Sequence, residues 1–401
     1  MATTSLRTAV IVDAVRSPIG KGRPARGERP GGVLSALHPV DLLGQTLRAL
    51  MERNPGVDPA RVDDVLIGCV SQAGEQAGPV GRFGWLAGGL AEHVPASTID
   101  RRCGSSQQAA DFAAAGVMAG LYDIVVAGGV ESMSRVPMLS ARMGADPYGP
   151  TLTERYAPGL IPQGVSAELI AARWQLPRER LDEYALRSQQ LAAAADRAPE
   201  IVPIELPDGS RVEEDETIRP DTTLDGLAAL EPSFEDAAMA SRFPEIEWRV
   251  TPGNSSQLAD GATASLIVSE ELAERLDLTP RARFHAFAVA SDDPITMLSA
   301  PIPATERILE RSGMTLAEID QVEVNEAFAP VPLAWADHFD VELEKVNPRG
   351  GAIALGHPLG ASGGRLLTSL LCGLERSGGR FGLQTMCEAG GMANATIIER
   401  I

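Results

Sequence analysis

The sequence predicts an α/β protein made of two similar halves. First, a short strand (98–100), an alanine-rich helix (107–119) and an apolar strand (124–127) follow one another. This is the order of a βαβ unit, which indicates a partly parallel sheet. Second, the run from residue 346 through a leucine-rich helix to a strand at 382–386 repeats that order. Such a long-period duplication would bring the two strand-to-helix loops to one pseudo-symmetric cleft.

The other elements follow from apolar runs and turn signals taken in chain order. Strands are predicted at 7–15, 65–70, 264–268, 283–290 and 319–324, and helices at 40–54, 80–91 and 167–195, the last broken near Pro177. From residue 131 to 248 the chain becomes richer in Pro, Asp, Glu and Arg. We therefore expect residues 1–130 with 249–272 to form one half, 273–401 the other, and 131–248 an inserted, ligand-facing loop domain.

Composition excludes several classes of protein. The net charge of −19 argues against a nucleic-acid partner, although local arginines can still bind an anionic small ligand. The first 18 residues contain no signal-peptide core, and no apolar run reaches the ~18 residues that a membrane span needs. The 4 cysteines form no CxxC pair, which disfavours zinc or thioredoxin-like chemistry. Free thiols in a reducing, cytoplasmic compartment are expected.

The stretch GGAIALGHPLGASG, residues 350–363, organises the second half. Its apolar run Ala352–Leu355 predicts a strand, and the leucines that follow share one face of a helix. Between them, Pro358 disfavours the α region for His357. Three glycines are expected to take backbone conformations closed to other residues: Gly356, Gly360 and Gly363. His357 is therefore a candidate base, and the alternative is a turn whose imidazole satisfies a backbone carbonyl.

Cys103 lies where a helix is expected to begin. Free amides and the positive end of a helix stabilise a thiolate, so Cys103 is a candidate nucleophile. His357 on the matching loop of the other half supports this, because a thiol with a nearby base is the arrangement of nucleophilic catalysis. The alternative is a buried, inert cysteine, which is the role expected of Cys69 and Cys372.

Two further residues follow predicted strands. Cys387 comes after the strand at 382–386, where a second thiol could move a proton to or from carbon; the alternative is a packed strand-end residue. Asn325 follows the strand that ends at Val324, where its amide could donate to a developing oxyanion. The alternative for Asn325 is a helix N-cap.

With these pieces assembled, the chain resembles a thiolase along nearly its full length. The matching stretches are AVIVDAVRSPIGKG, CGSSQQA, VVAGGVESMS, VTPGNSSQLADGA, NEAFA, GGAIALGHPLGASGGRLL and CEAGGMANA. The resemblance implies the thiolase fold, with duplicated five-stranded halves in an αβαβα arrangement and a loop domain inserted in the first half. It also implies acyl-CoA substrates, coenzyme A as co-substrate with no permanently bound cofactor or metal, and a homodimer or homotetramer.

The resemblance also implies a role for each site residue. Cys103 would be the acylated nucleophile, His357 its base, and Cys387 the acid/base at the α-carbon. Asn325 would hold a water that forms one oxyanion site with His357, and the amides of Cys103 and Ala389 would form the other. Arg219 and Ser256 would contact coenzyme A, and the acyl pocket would be lined by Phe234, Met297 and Phe328.

The sequence departs from the family pattern at the acyl-facing loops. Ala389 stands where the family usually has glycine, and Ser106 replaces a common glycine. We expect a degradative 3-ketoacyl-CoA thiolase rather than a biosynthetic acetoacetyl-CoA thiolase. The rivals are a ketoacyl-carrier-protein synthase, against which the second cysteine argues, and a non-catalytic lipid carrier of the same fold, against which the full set of reactive residues argues.

Overall fold

The computed structural model describes residues 6–401. The first five residues of the predicted first half, and the part of the signal-peptide prediction that concerns them, lie outside the described residues. Up to residue 132 the elements are β1 (Ala9–Arg16), β2 (Gly20–Lys21), α1 (Pro39–Arg53), β3 (Asp64–Gly68), α2 (Val80–Ala87), β4 (Ala96–Ile99), α3 (Ser105–Met118) and β5 (Ile124–Ser132).

The following segment is mainly helical. It contains α4 (Gly149–Arg155), α5 (Gln163–Arg173), α6 (Arg178–Ala194), β6 (Ile204–Glu205), β7 (Arg211–Val212), α7 (Leu224–Ala228) and α8 (Ala237–Arg242). The last part contains β8 (Ala259–Ser269), α9 (Glu270–Arg275), β9 (Ala282–Ser291), α10 (Pro301–Ser312), β10 (Gln321–Val324), α11 (Pro330–Phe339), α12 (Ala352–Leu355), α13 (Ser362–Ser377), β11 (Phe381–Glu388) and β12 (Met392–Arg400). Within residues 6–401 no helix is long and apolar enough to cross a membrane.

The main sheet runs in the order β10-β11-β12-β9-β1-β8-β5-β3-β4, with β2 beside β8. Strand β3 pairs in parallel with β4 and β5, and β10 pairs in parallel with β11. Val346 forms an isolated parallel bridge with Val322 of β10, in the place that β4 takes beside β3. The predicted duplication is therefore visible in the strand pairing, and the two halves join through a short contact between β1 and β9.

Helices α3 and α13 pack against each other between the halves. Alanines of α3, such as Ala109 and Ala113, and leucines of α13, such as Leu367 and Leu370, form one buried cluster with strand residues of both halves. Helices α1 and α2 cover the opposite face of the first half, while α10 and α11 cover that of the second. The result is an αβαβα layering in which Cys103 and His357 both precede the helices of the central layer.

The segment between β5 and β8 leaves and rejoins one sheet, because these two strands pair antiparallel. Buried ion pairs tie it to the core: Arg16 of β1 donates to Glu200 at 3.1 Å and to Asp215 at 2.7 Å. Each carboxylate has its pKa held below its usual range by arginines. The predicted boundaries of the loop domain, 131 and 248, stay a prediction.

One predicted strand is wrong. Ala352–Leu355 is a single helical turn, α12, that Gly356 ends with a φ of +86°. Four consecutive buried apolar residues do not distinguish a strand from a buried helical turn, which is why the pattern misled. Of the three glycines expected in special conformations, only Gly356 has a positive φ; Gly360 and Gly363 instead permit close approach, since an added Cβ would lie 2.7 Å from the Cα of Cys69 and 2.4 Å from the Gln107 amide nitrogen.

Two predicted strand ends are also wrong. Strand β5 continues through Gly128-Gly129 to Ser132, and these glycines serve close packing: a Cβ at Gly129 would lie 2.1 Å from the Gly360 carbonyl oxygen. Cys387 lies inside β11 rather than after it, paired with Ala393 of β12. Strand β12, which the sequence analysis did not predict, holds Cys387 in the sheet and fixes its side-chain direction.

Candidate active site

Cys103 lies immediately before Gly104, the N-cap of α3, as predicted from the sequence. Its side chain is 6% exposed and packs with Leu366 of α13 and Met386 of β11. Burial, reinforced by the Glu388 carboxylate, raises the pKa of the Cys103 thiol to about 12. The expected stabilisation of a thiolate is therefore wrong for the free protein, because burial outweighs the favourable helix end.

His357 is oriented by two side chains. Its Nδ1 lies 2.5 Å from the Ser362 hydroxyl oxygen, and that hydroxyl donates to the Pro358 carbonyl at 3.0 Å. Because a serine hydroxyl has one proton to donate, Nδ1–H must be the donor to Ser362. The lone pair of Nε2 then faces the Asn325 amide nitrogen, 3.5 Å away. The alternative of an imidazole that only satisfies a backbone carbonyl is wrong.

The His357 ring is a neutral base. Burial, and then the nearby Arg365 guanidinium, lower its pKa from 6.5 to about 3. Arg365 lies one helical turn beyond Ser362 on α13, fully buried, with its Nη1 3.7 Å from a Glu323 carboxylate oxygen. The imidazole is thus uncharged at neutral pH, with its free lone pair on the ring nitrogen that faces Asn325.

Asn325 connects the base to the second thiol. Its backbone amide donates to the Thr385 carbonyl of β11 at 3.1 Å, which fixes it beside that strand. Burial and then Cys103 raise the pKa of the Cys387 thiol well above its usual value, and the nearby Asn325 side chain opposes that rise. Helix α11 starts at Pro330 with Ala329 as N-cap, so the alternative role of Asn325 as a helix cap is wrong.

The structure brings together the four residues predicted to carry the chemistry. Cys103 acts on the pKa of Cys387, and Asn325 contacts both Cys387 and His357. All four side chains are buried, with Cys103 and His357 slightly more exposed than Asn325 and Cys387. The alternative of Cys387 as a strand-end packing residue does not account for its contact with Asn325.

Two buried glutamates that the sequence analysis missed support these loops. Glu131 accepts hydrogen bonds from the backbone amides of Val70, Ser71 and Gly360, and so joins the loop after β3 to the His357 loop. Glu326 directly follows Asn325. It accepts from three side chains, Tyr184, Ser188 and Asn347, and from one backbone amide, that of Ile353. Each glutamate stands in an otherwise apolar or glycine-rich motif, VVAGGVESMS or NEAFA, and that position was the available sign of a buried carboxylate.

Ala389 begins the turn between β11 and β12. It is half-buried and is not among the residues with positive φ, whereas Gly390 and Gly391 have φ values of +96° and +77°. The left-handed conformations of the turn are thus taken by the two glycines after it. An alanine is tolerated at 389 because no left-handed backbone is required there.

The predicted pocket residues share an apolar cluster with the second thiol. Phe234, Met297 and Phe328 belong to or pack against the same apolar cluster as Cys387. The rings of Phe234 and Phe328 meet edge to face, with centroids 5.7 Å apart. The second thiol thus belongs to an apolar cluster that also takes in the three predicted pocket residues.

The two predicted coenzyme A contacts flank Gln257. The exposed Arg219 donates to the Gln257 side chain at 3.0 Å, and the Ser256 amide donates to the Ala327 carbonyl at 3.0 Å. The Gln257 carbonyl accepts from the His357 amide at 2.8 Å. This glutamine, which the sequence analysis missed, links the solvent-facing arginine to the loop of the candidate base.

Comparisons with known proteins agree along the whole chain. Residues 9–271 match the thiolase N-terminal domain and residues 278–400 the thiolase C-terminal domain. The chain is 45% identical to the steroid 3-ketoacyl-CoA thiolase FadA6 of Mycobacterium tuberculosis, over 98% of this chain and 94% of that protein. It is 40% identical to the 3-oxoadipyl-CoA/3-oxo-5,6-dehydrosuberyl-CoA thiolase of Escherichia coli, over 99% of this chain and 100% of that protein.

Two solved structures share the fold. The Bacillus anthracis acetyl-CoA acetyltransferase superposes with a TM-score of 0.87 at 35% identity, covering 100% of both chains. Human mitochondrial 3-ketoacyl-CoA thiolase in complex with CoA gives a TM-score of 0.85 at 35% identity, covering 98% of both chains. The similarity thus spans both halves and the helical segment between them.

Proposed function

The chain belongs to the thiolase family, and we propose that it is a degradative 3-ketoacyl-CoA thiolase. The predicted family, fold class and acyltransferase activity are confirmed by the relatives and structures described above. The observation that carries the specific proposal is the position of Asn325, which contacts both a neutral histidine and a buried cysteine whose neighbour is a second cysteine. A base and two thiols at one buried place suit a reaction that makes a thioester and also moves a proton on carbon.

In the first half-reaction, His357 Nε2 takes the Cys103 proton as the sulfur attacks the 3-keto carbon. The bond between C2 and C3 then breaks, and its electron pair stays on C2 of the departing acetyl-CoA. Cys387 gives its proton to that carbon, which leaves an acyl thioester on Cys103. Because both thiols are uncharged in the free protein, the thiolate forms only as substrate arrives.

In the second half-reaction, the thiol of coenzyme A attacks the Cys103 thioester. The proton that His357 took from Cys103 first passes to the Cys387 thiolate, which restores the neutral imidazole. His357 then takes the coenzyme A proton and returns it to the Cys103 thiolate as the acyl group leaves as acyl-CoA. Each half-reaction develops an oxyanion, and removal of one hydrogen-bond donor to an oxyanion typically costs ~10²–10³ in rate. We assign one oxyanion site to His357 with a water held by Asn325, and the other to the backbone amides of Cys103 and Ala389.

We also propose the remaining assignments. Arg219 and Ser256 contact coenzyme A, and Phe234, Met297 and Phe328 line the acyl pocket beside Cys387. The solvent-exposed position of Arg219 suits an anionic ligand despite the acidic chain. A cytoplasmic location and a homodimer or homotetramer complete the proposal, and cell fractionation and light scattering test them.

The proposal is tested by acylation followed by a substrate panel. Incubation with an acyl-CoA should add one acyl group to Cys103, located by intact mass and peptide mapping; an adduct on Cys387 or Cys372 instead would overturn the assignment. Thiolysis should then be measured on 3-ketoacyl-CoAs from acetoacetyl to long-chain and ring-bearing. Preference for acetoacetyl-CoA would favour the biosynthetic alternative, activity with carrier-protein thioesters would favour a synthase, and no adduct at all would favour a lipid carrier.

A further inference from the structure

Glu388 is a buried carboxyl group beside both reactive thiols that the mechanism above does not use. It follows Cys387 in β11, its side chain is fully buried, and both of its carboxyl oxygens lack a hydrogen-bond partner among the described residues. Gly104 leaves the space for it: a Cβ there would lie 2.0 Å from the Glu388 Oε1. The carboxyl thus lies directly against the residue that follows Cys103.

The surroundings of Glu388 suit an uncharged acid. A buried carboxylate without donors is costly, whereas the neutral acid needs only one acceptor for its O–H. Asn394 of β12 provides a suitable one: its amide lies 3.0 Å from the same Gly104 Cβ position, its Nδ2 donates to the Gly104 carbonyl, and its buried Oδ1 has no partner within residues 6–401. The O–H of Glu388 donating to Asn394 would satisfy both groups.

One cation and two anions influence the ionisation of Glu388. Arg101 favours its ionised form, while Asp111 of α3 and Asp100 oppose it. Burial adds the largest effect, and the pKa of Glu388 is raised from 4.5 to about 9. A charge on Glu388 in turn raises the pKa of Cys103, as does Glu131, and also raises the pKa of Cys387.

We propose that Glu388 works as a neutral carboxylic acid that permits thiolate formation at Cys103 and Cys387, and that its ionisation suppresses both thiolates. Glu388 is then a residue that acts through the thiols rather than on substrate. The proposal deepens the proposed function and rests on it for the catalytic consequence. Because successive residues of a strand point to opposite faces, Glu388 lies on the face of β11 opposite to Cys387 and on the same face as Met386, which packs with Cys103.

The test is the rate at which iodoacetamide alkylates Cys103, followed by peptide mass spectrometry from neutral to strongly alkaline pH. In the wild-type protein the rate should rise tenfold per pH unit up to about 9 and then more slowly, because Glu388 ionises first and opposes the thiolate. In E388Q the tenfold rise should continue, so that the variant becomes about tenfold faster than wild type at high pH. Superimposable profiles would overturn the proposal.

Asp111→Asn is the matched control. Asp111 is also fully buried on this layer, with a pKa raised to about 8, but it is not among the main groups that shift either thiol. Because Asp111 raises the pKa of Glu388, its removal should move the bend to lower pH, opposite to the effect of E388Q. A D111N profile that matches E388Q would overturn the proposal.

A second measurement covers the case in which E388Q does not fold. Infrared spectra of the wild-type protein should contain the band of a protonated buried carboxyl that titrates near pH 9, and in D111N the Glu388 band should titrate at a lower pH. Absence of that band at neutral pH in D111N would overturn the proposal. Alkylation and infrared titration need no substrate. A failure to acylate Cys103 would therefore refute the proposed function, while the effect of Glu388 on the Cys103 thiol could still be measured.

Discussion

The strand-to-helix loops of the two halves have the same topological place but different construction. In the first half, β4 ends at Ile99 and α3 begins at Ser105, so a short connection places Cys103 at the helix start. In the second half, the connection from the Val346 bridge to α13 is longer and contains α12 and His357. The short loop places the Cys103 thiol at the start of α3. In the long loop, Ser362, the first residue of α13, orients the His357 ring.

The loops also differ in charge. Burial and then the Glu388 anion raise the pKa of the thiol on the first loop, while burial and then the Arg365 cation lower the pKa of the imidazole on the second. Both effects keep the free protein in the uncharged form, thiol with imidazole. Separate loops from separate halves thus hold the proposed nucleophile and the proposed base, and both are uncharged in the free protein.

The largest expected effect comes from the long loop. His357→Ala removes the base and one oxyanion donor, which typically contribute ~10²–10⁴ and ~10²–10³ in rate, and such contributions are not additive. We expect thiolysis to fall by at least ~10²-fold in kcat. His357→Asn, which keeps a donor but no base, should fall between wild type and alanine. A His357→Ala enzyme with roughly a tenth of wild-type rate, well above those ranges, would contradict the assignment.

The pH dependence of the wild-type enzyme sharpens this prediction. Since the folded-state pKa of His357 is lowered from 6.5 to about 3, the free enzyme keeps its base as pH falls through 6.5. The kcat/KM for thiolysis should therefore show no loss from His357 protonation near its ordinary pKa. The same shift means that stability is lost as pH falls from 6.5 toward 3, because the unfolded chain binds that proton more readily. An acid limb at 6.5 that is absent in His357→Asn would contradict the depressed pKa.

Cys387→Ala separates the two cysteines. Acylation of Cys103 by a simple acyl-CoA needs no proton on carbon, so acyl exchange between coenzyme A molecules should continue. Cleavage of 3-ketoacyl-CoA should fall by about 10²-fold or more, because the acid for the leaving carbanion is gone. Both rates are measured on one preparation whose fold is checked by circular dichroism. Cys372→Ala, which removes a buried thiol from α13, is the control. Equal losses of both activities in Cys387→Ala would show that Cys387 has no separate role in the proton transfer.

Much of the site could be predicted because its residues lie in short motifs at element ends. Cys103, Asn325 and His357 each precede or follow an apolar run, and the duplication placed the loops together. The electrostatics could not be predicted, because the pKa of Cys103 depends on Glu388, which is distant in sequence and packs against Gly104. Likewise, α12 was mistaken for a strand because burial on all sides removes the periodicity that distinguishes the two.

A smaller effect is expected at the residue that orients the base. Ser362→Ala removes the acceptor of the His357 Nδ1 proton, so the ring can adopt the tautomer with Nε2 protonated. We expect kcat to fall about tenfold with KM for coenzyme A unchanged, given that a neutral hydrogen bond contributes ~1 kcal/mol. Ser369→Ala is the matched control, because Ser369 is a buried serine of the same helix whose hydroxyl has no partner in the part of the chain that the structure describes. Equal effects of the two variants would mean that Ser362 serves packing alone.

The smallest expected effect is at Arg219, an exposed arginine outside both loops. Exposed charged pairs contribute ~0–1 kcal/mol, so Arg219→Ala should leave stability nearly unchanged and raise KM for coenzyme A a few-fold. Arg219 also donates to Gln257, whose carbonyl holds the His357 amide. If Arg219 acted mainly through Gln257, kcat would fall and KM would stay. Arg211→Ala is the control, because Arg211 is an exposed arginine of β7. A rise in KM shared by both variants would reflect the change in net charge rather than a contact with coenzyme A.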